Sequence, residues 1–248
     1  MSRLKVVVAG ATGKTGQEAA KAVWGASDLE LVGAVARRRI GEDLGEVLGE
    51  GHWGVPIASD LAVLLNDQRP DVLVDFTQPE VAGRHALLAV RSGVSPVVGT
   101  TGMPCAEMEE LRQAVTDTGR GALIIPNFSF GIVLLERFCT EALRFFPDVE
   151  IIEFHHQRKL DRPSGTARML QGVLERNGAH SPVPVHSVRL PGLVAHHEII
   201  FGGPGETIRL RHDTLSRASF GPGVVLAVRR ALHVRGVVEN LSELLGEV

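Results

Sequence analysis

Apart from Lys5, positions 4–9 are apolar and largely β-branched, the pattern of a strand covered on both faces. A glycine-rich turn follows, and positions 14–24 then carry Ala and Val at helical spacing. Further short apolar runs at 29–36, 72–76, 95–98 and 122–125 alternate with helical patterns at 81–91 and 106–118. Such alternation predicts an α/β class fold whose first half is a Rossmann-type, doubly wound parallel sheet with right-handed crossovers. After Pro126 the rhythm changes. A helix is expected over about 131–145, then strands at 149–154, 183–189, 197–201 and 206–212, which together predict a second, α+β domain carrying a mixed or antiparallel sheet. Helical spacing returns over 215–234, interrupted by Gly221-Pro222-Gly223, and is expected to pack back on the first domain. The expected division is therefore 1–127 completed by 217–248, with 128–216 as the second domain.

Composition narrows the partners. The 26 basic and 29 acidic residues of this 248-residue chain are mixed along its length for a net charge of −3, so neither nucleic acid nor a membrane surface is expected, and small molecules or copies of the chain are. No apolar run approaches the ~18 residues of a membrane span, and the start leads straight into a strand rather than a signal peptide. A cytoplasmic location follows as the expectation. Cys105 and Cys139 make no metal-ligand spacing, and both are expected to be buried and inert. Tyrosine is absent, which excludes any mechanism with a Tyr general acid.

Candidate chemistry begins at Gly10-Ala11-Thr12-Gly13-Lys14-Thr15-Gly16, which follows a strand and opens a helix. In that context a G-x-x-G-x-x-G turn points to a dinucleotide pyrophosphate held by backbone N–H groups and the positive helix end. The end of the second strand reads Ala36-Arg37-Arg38-Arg39, with no carboxylate before Glu42. An acidic residue there would select a ribose 2′-hydroxyl, whereas guanidinium groups suit a 2′-phosphate, so NADPH is favoured over NADH; the bland alternative is a solvated charge run. Asp75-Phe76-Thr77, Gly99-Thr100-Thr101-Gly102 and Pro126-Asn127-Phe128-Ser129 lie at the carboxyl ends of later strands, either lining a nicotinamide pocket or serving as ordinary turns and caps.

The second half concentrates His155-His156-Gln157-Arg158-Lys159-Leu160-Asp161-Arg162-Pro163-Ser164-Gly165-Thr166 between a strand and a helix. Histidine exchanges protons near neutrality, and a lysine beside other cations is a tunable acid. Lys159 is one of only four lysines, the others being Lys5, Lys14 and Lys21. Ser164, Gly165 and Thr166 sit where a helix begins, placed to hold a carboxylate. Zinc is not expected at this spacing.

Read together, Glu153 to Ala167 (E-x-H-H-x-x-K-x-D-x-P-S-G-T-A), the phosphate loop, the three strand-end loops and Ser216-Arg217 resemble the 4-hydroxy-tetrahydrodipicolinate (dihydrodipicolinate) reductase family over nearly the whole chain. The resemblance implies hydride transfer from NADPH, with NADH as the second choice, to a cyclic imine dicarboxylate in diaminopimelate and lysine biosynthesis. By position it implies His155 as proton donor and acceptor and Lys159 as proton donor. Substrate binding falls to His156, Gly165 and Thr166, joined by Ser164. Cofactor contacts are implied at Gly10, Ala11, Thr12, Gly13, Lys14, Thr15, Gly99, Thr100, Thr101, Ile125, Pro126, Asn127 and Phe128, with Arg37 at the 2′-phosphate. A homotetramer built through the second domain's sheet is also implied. The chain departs from the family pattern at Lys14-Thr15, Ala36, Arg162 and Leu226, the last standing where some members carry an Arg substrate contact. Two rival readings are a non-catalytic NADP-binding sensor of the atypical short-chain dehydrogenase kind and a related Rossmann reductase acting on another imine.

Overall fold

The computed structural model describes residues 3–246; residues 1, 2, 247 and 248, included in the expected extent of the first domain, lie outside them. Two compact units are present: Met1–Phe128 with Phe220–Val248, and the continuous segment Ser129–Ser219.

In the first unit, β1 (Leu4–Ala9), α1 (Gly16–Gly25) and β2 (Leu29–Val35) are followed by α2 (Leu44–Leu48), β3 (Ile57–Ala58), α3 (Leu61–Gln68), β4 (Val72–Asp75), α4 (Pro79–Arg91), β5 (Ser95–Val98), α5 (Cys105–Thr118) and β6 (Ala122–Ile124). Among the described residues these strands and a late β11 (Val237–Val238) form one sheet in the order β11-β6-β5-β4-β1-β2-β3, and every pairing is parallel. Helices cover both faces, which is why β4 and β5 are buried at every position. The apolar runs of the sequence carry this information directly.

The second unit contains α6 (Phe130–Ala142), β7 (Asp148–His155), α7 (Gly165–Arg176), β8 (Val185–Arg189), β9 (Ala195–Gly203) and β10 (Glu206–Thr214). Its sheet runs β10-β9-β7-β8, antiparallel except for the β7/β8 pair, so it is the expected mixed sheet. Buried and open positions alternate along β7. Val149 and Ile151 join Ile132, Leu135, Leu170, Leu174, Ile199 and Phe201 in a core between α6, α7 and the sheet, and the same face carries Glu153 and His155 at its end.

Two expectations are corrected. Gly221-Pro222-Gly223 does not interrupt a helix; it begins α8 (Gly221–Ala231), with Pro in the first turn, where its missing N–H costs nothing. A side-chain carbon at Gly223 would lie 1.9 Å from the Phe128 carbonyl oxygen, so the glycine lets the helix approach the end of the parallel sheet. Cys105 is exposed rather than buried, because it opens α5 on the solvent side. Cys139 is buried as expected, and burial pushes its thiol up to about 12.

Candidate active site

In the first unit, Gly10 and Ala11 donate their N–H groups to the Val35 carbonyl, and Gly13 donates back to Gly10. The loop is thereby stitched to the end of β2. Gly10 has φ +74°, and a Cβ there would lie 2.7 Å from the Phe76 carbonyl oxygen; a Cβ at Gly16 would lie 2.1 Å from the Gly10 oxygen. These two glycines are therefore required by the turn itself, and the free surface of the loop is at Gly13 and Lys14, both exposed. Among the described residues the backbone N–H groups of Thr12, Lys14 and Thr15 have no intrachain backbone acceptor. They sit before the first turn of α1, a donor set suited to a pyrophosphate.

Arg37 lies two residues past the strand whose Val35 carbonyl ties down this loop. The three-arginine run does not act as one cluster. Arg39 has φ +64° and places its guanidinium on Glu42 with two hydrogen bonds, 2.7 and 2.6 Å, leaving Arg37 and Arg38, both exposed, without an ion-pair partner among the described residues.

The neighbouring loops are fastened to one another. Buried Asp75 accepts hydrogen bonds from the Thr77 N–H (2.8 Å) and hydroxyl (2.6 Å) and meets His85 Nδ1 at 2.7 Å. Thr100 donates its hydroxyl to the Thr77 carbonyl at 2.7 Å, and Gly99 leaves room for the Phe76 ring, which packs on Phe128 at 5.5 Å. Asp75 is thus an anchor for the loop. Thr100 and Asn127 are half-buried and Thr101 and Pro126 exposed, whereas the side chains of Ile125 and Phe128 are buried in the core, which leaves only their backbones as candidate contacts.

In the second unit β7 delivers His155 at its end, followed by a turn in which Lys159 N–H bonds the His156 carbonyl. His156 and Lys159 are half-buried. Lys159 Nζ pairs with Asp161 Oδ1 at 2.8 Å. Ser164 caps α7, its hydroxyl accepting from Ala167 N–H at 3.2 Å. A Cβ at Gly165 would meet nothing within 4 Å, and Thr166 occupies the next position of this first turn. Beside them stands His197 of β9, whose Nε2 lies 3.5 Å from the Ser164 hydroxyl and whose ring meets that of His155 edge-on at 5.6 Å between centroids.

Burial lowers the His155 imidazole below its ordinary value; Glu153 opposes this, and the charges of Lys159 and Arg189 add to it. His197 is pushed down to about 3, by burial first and then by the adjacent His155. Burial works against ionisation of Asp161, but the Lys159 hydrogen bond and charge hold its carboxyl below the usual range. The arrangement therefore offers neutral imidazoles, an ammonium and a helix N-terminus on one face: groups for proton exchange beside groups for anion binding.

The residue reading missed His197, Glu153 and Arg189. Glu153 carried a usable signal, since residues two apart on a strand share a face; His197 and Arg189 arrive through strand register, opposite Glu153 and His155 respectively. Asp43, Glu46 and His52 bring ligand-type atoms within 4.8 Å of one another. Asp43 already accepts from three backbone N–H groups, so this grouping fastens a turn.

Residues 4–128 match the family described as dihydrodipicolinate reductase, N-terminus, and residues 131–245 match its C-terminus. The chain is 42% identical to the 4-hydroxy-tetrahydrodipicolinate reductase of Moorella thermoacetica, over 99% of each chain, and 42% identical to that of Geobacillus thermodenitrificans, over 98% of this chain and 99% of that one. Among solved structures, the dipicolinate-bound dihydrodipicolinate reductase of Paenisporosarcina sp. TG-14 superposes with a TM-score of 0.83 at 34% identity, covering 97% of this chain and 99% of that one. The match extends through both units, which favours a reductase over a bare nucleotide sensor. The chain belongs to the dihydrodipicolinate (4-hydroxy-tetrahydrodipicolinate) reductase family of oxidoreductases.

Proposed function

We propose that this protein uses NADPH to reduce 4-hydroxy-tetrahydrodipicolinate to tetrahydrodipicolinate in diaminopimelate and lysine biosynthesis, with His155 and Lys159 handling the proton. The observation that carries this reading is that His155 packs on His197, His197 lies against Ser164 at the start of α7, and the Lys159 charge acts on His155. Backbone donors at Thr12, Lys14 and Thr15 hold the pyrophosphate, Arg37 the 2′-phosphate, and Gly99, Thr100, Thr101 and the backbone of Ile125 to Phe128 border the nicotinamide. When bound, the dihydronicotinamide supplies a hydride. Overall one hydride and one proton are added and the 4-hydroxyl leaves as water.

Gly165 and Thr166 at the helix start, with Ser164 and His156, take a substrate carboxylate, where the helix dipole favours negative charge. Lys159, held by Asp161, gives the proton, and His155 exchanges it as donor and acceptor. NADPH is preferred because Arg37 stands where the second strand ends and Ala36 supplies no carboxylate for a ribose hydroxyl. We assign the protein to the cytoplasm and to a homotetramer formed through the sheet of the second unit, whose open face carries Asp148, Glu150, Ile152 and Phe154.

The test is steady-state oxidation of NADPH and NADH in turn, with substrate generated by the preceding synthase. Turnover with a higher kcat/KM for NADPH is expected. Absence of turnover with either would overturn the substrate assignment, and equal kcat/KM values would overturn the coenzyme preference.

A further inference from the structure

We infer that Glu153 and Arg189 are positioning residues, one buried guanidinium setting both His155 and Lys159 for proton transfer. This inference rests on the reading that His155 and Lys159 move the proton. Glu153 and His155 share the inner face of β7, and both are buried. Glu153 Oε2 meets His155 Nδ1, while Oε1 accepts from Arg189 Nη2 at 2.6 Å. The same nitrogen of Arg189 donates to the Asp161 backbone carbonyl at 2.7 Å, and Asp161 in turn holds the Lys159 ammonium. Two chains of contact thus leave one side chain of β8 and end on the two proton-handling groups.

An ionised carboxylate only accepts hydrogen bonds, so the His155 proton must lie on Nδ1 and the lone pair on Nε2. The carboxylate fixes the tautomer and ring orientation, and Nε2 becomes the atom that exchanges the proton. Arg189 cannot release its own proton, so it keeps Glu153 charged where burial alone would neutralise it. Although burial opposes ionisation, Arg189 and the Ser187 hydrogen bond hold Glu153 below the usual carboxylate range. The groups facing His155 are Glu153 from its own strand, Arg189 from β8, His197 from β9 and Lys159 from the following turn. Arg189 Nε is buried without a partner among the described residues. A buried ion pair with an unsatisfied donor adds little net stability, which argues for orientation as the role of the pair.

The experiment compares Glu153→Gln, Glu153→Asp and Arg189→Lys with His155→Ala in the full-length protein, using synthase-generated substrate and NADPH. Steady-state constants, the pH profile of kcat/KM and NADPH affinity are measured, together with 15N chemical shifts of the His155 ring assigned by its loss in His155→Ala. Glu153→Gln should lower kcat roughly 10–100-fold, move the His155 proton toward Nε2 and shift the pH profile, with NADPH affinity unchanged. Glu153→Asp should recover part of the rate, and Arg189→Lys should lower kcat in the same sense. Wild-type kcat and an unmoved tautomer in Glu153→Gln, beside a large loss in His155→Ala, would overturn this inference alone. Wild-type turnover in His155→Ala would overturn the assignment of His155, and this inference with it.

Discussion

The Arg39 guanidinium holds the Glu42 carboxylate by two hydrogen bonds, and this pairing removes one of three consecutive arginines from the cofactor question. On the proposed assignment, Arg37 carries the coenzyme preference. Replacing it with Ala should lower kcat/KM for NADPH by about tenfold or more, as expected for hydrogen bonds to a charged group, and leave NADH almost unchanged. Arg39→Ala should change the NADPH/NADH ratio less than threefold. Equal sensitivity of the two sites would return the run to a solvated surface stretch.

Two glycines of the proposed binding loops should respond in opposite ways. Gly16→Ala drives a methyl toward the Gly10 oxygen, so thermal unfolding should show a loss of about 1–3 kcal/mol together with weaker NADPH binding. Gly165→Ala meets open space. Its Tm should stay at the wild-type value while KM for the substrate rises, because the methyl enters the volume assigned to the carboxylate. A lowered Tm with an unchanged KM would contradict that assignment.

How much of this was legible beforehand follows from locality. Strands of the parallel sheet are buried on both faces, so β1, β4 and β5 stand out as apolar runs, and the phosphate loop and the His155 to Thr166 cluster are contiguous in sequence. Between Asp43 and Ala58 the sequence carries no clear pattern, because α2 and β3 are only five and two residues long and glycines are frequent there. β11 is equally short. Arg189 reaches Glu153 across 36 positions, and His197 reaches it through β9. Neither meeting has a local signature; only the register of a folded sheet creates it. The pairing of Arg39 with Glu42 goes with a left-handed backbone conformation at Arg39 that arginine rarely adopts.

Acid should destabilise the protein earlier than its carboxylates alone would require. His197 titrates near its ordinary value of 6.5 when unfolded and at about 3 when folded, so between those values the unfolded chain binds the extra proton. The stability is whole above pH 6.5 and is lost as pH falls, at up to about 1.4 kcal/mol per pH unit for this one group. His155 and His212, both lowered by burial, act in the same direction. Chemical denaturation between pH 7 and 4.5 should show this slope, and His197→Gln should flatten it. An unchanged slope in that variant would place the acid sensitivity elsewhere.

On the proposed assignment Lys159 gives the proton, and Lys159→Ala tests this most directly. Single-turnover and steady-state rates with NADPH and synthase-generated substrate should fall by about 10²–10⁴-fold, the usual contribution of a positioned acid, with the NADPH dissociation constant unchanged. Wild-type turnover in Lys159→Ala would contradict the account.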